Sequence, residues 1–189
     1  YTNKEATEKK RVRGAFVEGD CWFNTGDLLR TIDVGVSFGF IHFQFVDRVG
    51  DTFRWKGENV STNEVGEILN LHPDVQLSNV YGVSIPGADG RAGMAALTLK
   101  EGCSRLNLET LAAHVQHKLP AYARPVFLSI QPEIEVTGTF KMVKGDLREE
   151  GYDLARVQDP LFVRLPGDRT YQPYTPELST KITSGQAGF

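Results

Sequence analysis

The residues best suited to chemistry lie in two short segments of the chain. The first, Asp47–Val65, combines charged side chains with two glycines, and a Thr-Gly-Asp tripeptide upstream of it ends at Asp27. The second, Thr137–Arg148, carries Lys141 and Lys144. A carboxylate can accept hydrogen bonds on both oxygens, and a lysine is a compact, mobile cation. Taken alone, each pattern also fits a solvated turn or a surface ion pair, so its meaning depends on the elements that hold it.

Apolar periodicity predicts a mixture of strands and helices around these segments. Ser61, with Glu64 three residues later, has the form of a capping box and predicts a helix start. Asn107 is predicted to cap a second helix, which Pro120 ends. The predicted strands are the apolar runs at 75–85, 93–99 and 126–130, the first two joined by a turn at 86–90, and a short helix is predicted at 144–150. The pattern indicates a small α+β (mixed α/β) domain with a three-stranded sheet and helices.

Composition argues against several classes of protein and site. Of the 189 residues, 40% are hydrophobic and 24% are charged, a balance typical of a soluble globular protein. A net charge of -3 creates no field that would attract nucleic acid. The two cysteines lie far apart and predict free thiols, and the four histidines show no spacing typical of a metal site. No apolar run approaches the roughly 20 residues that a membrane span needs.

Two motifs carry a resemblance to a known family. The stretch Asp47–Val65 resembles the hinge segment of the adenylate-forming enzymes. Within it, the residues 51–62 (DTFRWKGENVST) are similar to the very-long-chain acyl-CoA synthetase or fatty acid transport protein branch. The stretch Thr137–Lys141 (TGTFK) resembles their catalytic-lysine motif, with Phe140 where the wider superfamily has glycine. The resemblance implies an ATP-dependent long-chain or very-long-chain fatty acid–CoA ligase linked to fatty acid uptake. Such an enzyme forms an acyl-adenylate and then acyl-CoA, using ATP, Mg²⁺ and CoA.

The resemblance assigns four residues to the nucleotide. Asp27 and Arg48 resemble the family's ribose-binding pair, in which the carboxylate oxygens each accept one hydroxyl. Arg54 and Asn59 match positions that reach the adenylate or the entering thiol ligand. A surface salt bridge stays open for the first pair, and a solvated strand face is an equal alternative for Arg54. Lys56, two residues after Arg54, is predicted to share its strand face.

Further assignments concern movement and the thiol ligand. Gly50 and Asp51 fall at the family's hinge, where a few torsions change as a small domain rotates between the two half-reactions. An ordinary turn is the alternative for this pair. Gly57 and Glu58 match the CoA tunnel, in which a side chain at the glycine position would obstruct the entering ligand.

Lys141 is the predicted catalytic lysine, because it occupies the lysine position of the matching motif. Its role there would be to bridge the substrate carboxylate and the α-phosphate as charge shifts in the transition state. Lys144 is the alternative, since the register of the motif is ambiguous by about one turn of helix. A solvated lysine on a glycine-bearing loop also stays open.

The resemblance further predicts the domain organisation. Residues 1–47 would be the end of a large N-terminal domain, 48–51 the hinge, 52–150 a mobile C-terminal domain, and 151–189 a tail packed on that domain. The chain would then be the C-terminal part of an enzyme and inactive alone. A non-catalytic truncated isoform or binding fragment is the alternative. The family implies a membrane-associated protein (endoplasmic reticulum, plasma membrane or peroxisome), anchored through the missing part, with its catalytic domain facing the cytosol.

The spacing before the hinge departs from the family. Nineteen residues separate Asp27 from Asp47, more than the resemblance leads us to expect, and the surplus lies around 34–38 and 44–46. Two extra residues in the last strand would preserve its alternation, and the others could lengthen a loop. A variant exon boundary or an error in the gene model is an equal alternative. We therefore expect the identities of the ribose-binding residues to be more secure than their geometry.

Overall fold

The computed structural model describes residues 4–35, 39–48, 51–135 and 142–189. The chain divides into two units, residues 1–50 and residues 51–189. The division falls within the segment 48–51, which the family resemblance assigns to a hinge, and rotation about this segment stays a prediction. Gly50 and Lys141, each of which carries a predicted role, lie outside the described residues.

The described residues of the first unit form one short helix and two strand hairpins. Its elements are α1 (Lys4–Lys9), β1 (Arg11–Arg13), β2 (Cys21–Phe23), β3 (Asp27–Ile32) and β4 (His42–Arg48). The β1–β2 hairpin is organised by the carboxylate of Asp20, which accepts hydrogen bonds from the N–H groups of residues 15–17 and from Trp22 Nε1 at 2.7 Å. These donors, Trp22 above all, lower the pKa of Asp20 to about 2.

Strands β3 and β4 form the second hairpin, in which Asp27 and Arg48 are direct backbone partners. The register shifts by one residue beyond Leu28, so Val46 is the extra residue of a β-bulge on β4. The strand therefore takes up a single extra residue rather than an even number. Residues 33–41 connect the two strands, and Asp27 remains paired with Arg48.

The second unit begins with a small hairpin and continues with helices and the strands of one sheet. Its first elements are β5 (Phe53–Trp55), β6 (Glu58–Val60), α2 (Thr62–Asn70), β7 (Val75–Val83), β8 (Ala92–Leu99) and α3 (Leu108–Lys118). A 3₁₀ turn at Ala121–Ala123 leads to β9 (Phe127–Ile130), α4 (Gly145–Glu150), β10 (Leu161–Val163), β11 (Gln172–Pro173) and α5 (Pro176–Thr183).

The two main helices are capped as predicted. Ser61 Oγ accepts the N–H of Glu64 at 3.3 Å, and Asn107 Oδ1 accepts the N–H groups of Glu109 and Thr110, each at 3.1 Å. These side chains satisfy backbone donors that a helix leaves unpaired at its start, a contribution of about 1 kcal/mol for each cap. Capping fixes where α2 begins, and therefore where the β5–β6 hairpin before it ends.

The sheet of the second unit has five strands in the order β11-β10-β9-β8-β7. Its neighbouring strands are antiparallel except β8 and β9, which are parallel and are joined by a crossover that contains α3. The α+β fold class is confirmed, but the sheet has two strands more than the three predicted. Strands β10 and β11 arise from the predicted tail, because that segment pairs with β9 and extends the sheet.

The core of the second unit surrounds β7 and β8, since residues 78–83 and 92–98 are buried on both faces of the sheet. Part of the core comes from residues after 150. The Phe127 ring stacks on Tyr152 with centroids 4.1 Å apart and meets Tyr174 edge-on at 5.8 Å. The C-terminal segment is therefore part of the core that supports the hairpin and α4.

Candidate functional site

The β5–β6 hairpin carries four of the residues predicted to contact ligands. Its strands are joined by the two-residue turn formed by Lys56 and Gly57, whose φ angles are 51° and 83°. Positive φ at both turn residues is typical of a type I′ turn, the twist of which suits two paired strands. Phe53 and Trp55 are buried, while Arg54 between them is exposed. The core therefore holds the hairpin by one face and leaves the other face open.

Arg54 and Asn59 lie side by side on the open face. They are direct backbone partners across the hairpin, and partners in an antiparallel pair project their side chains to the same face. Arg54 Nε donates to the carbonyl oxygen of Gly57 at 3.1 Å. A neutral acceptor thus holds the guanidinium without cancelling its charge. The pair presents a cation beside an amide, a combination suited to a phosphate-bearing ligand.

Lys56 does not share the strand face of Arg54, and that prediction is wrong. The φ of 51° places Lys56 in the turn, where the chain reverses and strand alternation ends. Its Nζ lies 5.7 Å from the centre of the Trp55 ring, within the range of a cation–π contact.

Gly57 is required by its backbone conformation. Residues with a side chain rarely adopt a φ of 83°, and a Cβ built at this position meets no atom within 4 Å. The adjacent Glu58 is also exposed. An open surface at the glycine is compatible with the approach of an extended ligand, although the CoA role of both residues stays a prediction.

A cavity of about 190 Å³ adjoins the hairpin, and sequence reasoning missed it. Its lining includes Trp55, Lys56, Arg124, Arg164 and Asp168. Arg124 donates to two backbone carbonyl oxygens at 2.9 and 3.0 Å, and Arg164 donates through Nε to a third at 3.1 Å. These acceptors orient the guanidinium groups without neutralising them. The cavity therefore combines three cations with one carboxylate, and no short motif in the sequence signals this grouping.

Asp51 belongs to a cluster of charged side chains at the start of α4. Its Oδ1 lies 3.2 Å from an Arg148 guanidinium nitrogen and 4.0 Å from Lys144 Nζ. Lys144 Nζ also donates to Thr62 Oγ1 at 2.8 Å, and the lysine side chain is 13% exposed. Lys144, the alternative catalytic lysine, is thus engaged inside the second unit.

The four nucleotide-binding predictions fall on two separate units. Asp27 and Arg48 come together as backbone partners in the first unit, and Arg54 and Asn59 come together in the second. Asp47, next to Arg48, is buried with 1% exposure. Each pair is assembled by a hairpin register that fixes which residues stand opposite each other. The roles of all four residues stay predictions.

Two of the histidines connect α2 and α3 rather than forming a site. His72 is buried, its Nε2 lies 3.0 Å from Thr110 Oγ1, and its Nδ1 accepts a hydrogen bond from the N–H of Asp74. The Nε2 of His114 is hydrogen-bonded to the carbonyl oxygen of Ile68 at 2.7 Å. Burial is the main cause that lowers the pKa of His72. Within the described ranges, no group of three or more His, Cys, Asp or Glu side chains could hold a metal ion.

Comparison with known proteins identifies the domain and its fold. Residues 64–141 match the AMP-binding enzyme C-terminal domain. The structure is similar to O-succinylbenzoate coenzyme A synthetase (MenE) from Bacillus subtilis in complex with AMP, with a TM-score of 0.58 and 24% identity over 81% of this chain and 27% of that chain. At this identity the likeness concerns the fold alone.

Sequence relatives extend the match to almost the whole chain. Medium/long-chain-fatty-acid–CoA ligase FadD6 of Mycobacterium tuberculosis (strain ATCC 25618 / H37Rv) is 45% identical over 98% of this chain and 30% of its own length. Long-chain fatty acid transport protein 2 of Rattus norvegicus is 48% identical over 95% of this chain and 28% of its own length. The chain thus spans about 30% of the length of these relatives. Together, the domain match and these alignments show that the chain belongs to the fatty acid transport protein and acyl-CoA synthetase family of adenylate-forming enzymes.

Proposed function

We propose that the full-length protein containing this chain is an ATP-dependent CoA ligase for long-chain or very-long-chain fatty acids. It forms an acyl-adenylate from the fatty acid and ATP with release of pyrophosphate, and then transfers the acyl group to the thiol of CoA with release of AMP. The observation that carries this proposal is the 45% identity, over 98% of the chain, to a protein named as a fatty acid–CoA ligase. Mg²⁺ enters with ATP as part of the substrate.

The β5–β6 hairpin supports the nucleotide part of the proposal. Arg54 is fixed by a neutral carbonyl, so its positive charge stays available to a phosphate group, and Asn59 beside it offers both a donor and an acceptor. In the first unit, Asp27 and Arg48 are direct backbone partners across a hairpin, an arrangement that suits a carboxylate accepting the ribose hydroxyls and a neighbouring arginine. We assign these four residues to the nucleotide.

The cavity beside the hairpin supports the CoA part. CoA is a polyanion with a long, thin arm that ends in a thiol. Gly57 leaves open space on the turn, and the cavity next to the turn gathers Lys56, Arg124 and Arg164 around one carboxylate. Guanidinium groups match phosphate oxygens in geometry, and those held by neutral carbonyls keep their charge for a ligand. We assign Gly57 and Glu58 to the passage of the thiol arm.

The organisation of the chain is part of the same proposal. Three apolar side chains of the first unit are at least 70% exposed, namely Phe16, Phe40 and Ile41. Twelve of the thirteen exposed large apolar side chains in the described part of the chain lie in this unit, more than an isolated soluble domain usually shows, which supports assigning residues 1–47 to a larger domain. Residues 48–51 are the proposed hinge, and 52–189 would move about it. Membrane association rests on the names of the relatives. None of the helices in the described part of the chain is long and apolar enough to cross a membrane.

The test measures the two half-reactions separately in the full-length protein. ATP–pyrophosphate exchange that depends on a long-chain fatty acid reports adenylation, and acyl-CoA formation from supplied acyl-adenylate reports transfer. We expect both activities in the full-length protein and no exchange by the 189-residue chain alone. A folded full-length protein without fatty-acid-dependent exchange would contradict the proposal and favour a non-catalytic fragment or isoform.

A further inference from the structure

The charged cluster around Asp51 joins three parts of the second unit that are distant in sequence. Asp51 is the first residue of this unit, Thr62 is the first residue of α2, and Lys144 and Arg148 flank the first turn of α4. The Asp51 carboxylate lies 3.2 Å from Arg148 and 4.0 Å from Lys144, and Lys144 donates to Thr62 at 2.8 Å. One carboxylate thus lies beside two cations, one of which is also bonded to the start of a helix.

A hydrogen bond from the central sheet holds the residue just before Lys144. Asn79 of β7, with 1% exposure, donates through Nδ2 to the carbonyl oxygen of Val143 at 2.8 Å. Residues 143–148 are therefore bonded to the central sheet by Asn79, to α2 by Lys144 and to the start of the unit by Arg148. We call residues 143–148 the stem, because they directly follow the segment that carries Lys141.

The side chains of the cluster are shielded from solvent enough for their ion pairs to contribute to stability. Their exposures are 34% for Asp51, 31% for Arg148 and 13% for Lys144. Fully exposed pairs contribute little, because water screens them and flexible side chains lose entropy on pairing. Here two cations share one carboxylate, and the lysine is further restrained by its bond to Thr62. Loss of the Asp51 charge would remove the carboxylate that both cations approach within 4.0 Å.

We propose that Asp51, the last residue of the proposed hinge, is a positioning residue that ties the hinge to the stem, which follows the lysine segment. Through Arg148 and Lys144, rotation about the hinge would carry the stem as one rigid piece with the start of the unit. The inference rests on the proposed ligase function, because it gives the stem a role in placing the adenylation lysine. It also assigns Lys144 to positioning rather than to contact with substrate.

The variants are chosen to remove charge with little change in shape. Asp51→Asn removes the negative charge, Asp51→Glu keeps it, and Arg148→Gln removes the closer cation. Matched controls are Glu101→Gln and Arg169→Gln, whose side chains are exposed, the first in a turn and the second in a bend. Combining Asp51→Asn with Arg148→Gln in a double-mutant cycle tests whether the two residues act as one unit.

Two measurements separate this inference from the proposed function. In the 189-residue chain, Asp51→Asn and Arg148→Gln should speed hydrogen exchange of the α4 amides about tenfold, while Asp51→Glu and both controls stay near wild type. In the full-length protein, the same two variants should lower kcat for acyl-adenylate formation about tenfold with KM for ATP unchanged, and should spare acyl transfer to CoA. In both measurements, the double variant should show no larger effect on hydrogen exchange or on kcat than either single variant shows.

Each outcome decides a different point. If wild type formed no acyl-adenylate, the proposed function would fail, whereas the exchange data would still test the tie between Asp51 and the stem. If Asp51→Asn matched Glu101→Gln in both exchange and adenylation, the inference would be overturned. Additive losses for Asp51→Asn and Arg148→Gln would also overturn it, because independent sites add. Should Asp51→Asn fail to fold, Arg148→Gln carries the same two expectations.

Discussion

Replacing Gly90 with alanine should destabilise the second unit far more than the same change at Gly87. Both glycines lie in the turn between β7 and β8, and both have positive φ, 84° and 79°. A Cβ at position 90 would overlap the carbonyl oxygen of Arg54, whereas a Cβ at position 87 would meet nothing within 4 Å. The two substitutions therefore share the same backbone strain and differ in one steric contact. That contact is with the backbone of β5, the strand that carries Arg54.

The difference in unfolding free energy between the two variants can be worked out from the atoms that the new methyl group displaces. Positive φ costs an alanine about 1–2 kcal/mol, and this cost applies at both positions. At position 90 the carbonyl of Arg54 must also retreat, because real Cβ contacts essentially never fall below 3.0 Å. Retreat weakens the 2.7 Å hydrogen bond from the N–H of Arg91, worth about 0.5–1.5 kcal/mol. It also displaces buried Trp55 on the same strand, at about 1–3 kcal/mol. Gly90→Ala should therefore lower the free energy of unfolding by about 2–4 kcal/mol more than Gly87→Ala does.

Urea unfolding of the two variants measures this difference. Tryptophan fluorescence is a suitable probe, because Trp55 lies on the displaced strand and is 3% exposed. We expect a small decrease in the midpoint for Gly87→Ala and a much larger decrease for Gly90→Ala, at an unchanged slope. Equal midpoints for the two variants would refute the reasoning, since they would mean that the turn does not press against the carbonyl of Arg54.

Three further outcomes are expected. In the full-length protein, Lys141→Ala should lower acyl-adenylate formation by about 10²–10³ and spare acyl transfer to CoA, and the assignment would be wrong if Lys144→Ala gave the larger loss. Burial lowers the pKa of His72 below its usual 6.5, so the contribution of this residue to the free energy of unfolding should be complete above pH 6.5. As pH drops below 6.5, this contribution should fall by at most about 1.4 kcal/mol per pH unit. Urea titrations at several pH values should show this slope in wild type and lose it in His72→Gln. NMR titration of the Asp20 carboxyl should give a pKa of about 2, and Trp22→Phe should raise it towards 3.8 because the main hydrogen bond is lost.

The features that could be predicted from sequence are those with a local cause. Ser61 and Asn107 cap their helices within three residues, so the signal and the structure lie in one short stretch. The antiparallel pairing of β7 with β8 follows from two apolar runs and the turn between them. In both cases the residues that decide the conformation are neighbours in the chain.

The features that could not be predicted depend on distant partners. Strands β10 and β11 have three and two residues, too short for a periodic pattern, and they form because β9 offers an open edge. The buried hydroxyl of Tyr171, beside β11, donates to the carbonyl of Pro125 at 2.8 Å, a contact between residues 46 apart. The cations of the cavity are likewise brought together by the fold. The turn at Lys56 was missed because asparagine or aspartate, rather than lysine, usually signals positive φ before glycine.

The ribose-binding pair shows why spacing along the chain is weaker evidence than register. Nineteen residues between Asp27 and Asp47 exceed the expected spacing, yet Asp27 and Arg48 stand opposite each other on β3 and β4. A loop can lengthen at small cost because closure entropy grows only with the logarithm of its length. A strand cannot slip by one residue so cheaply, since slippage would turn every side chain to the other face. The bulge at Val46 confines the odd residue to one point beside the pair. Deleting Val46 should therefore remove the bulge and keep Asp27 opposite Arg48, whereas deleting Gln44, which is paired with Arg30, should force a slip of one residue in β4. NMR contacts between the backbones of residues 27 and 48 would check this, and their loss in the Val46 deletion would contradict it.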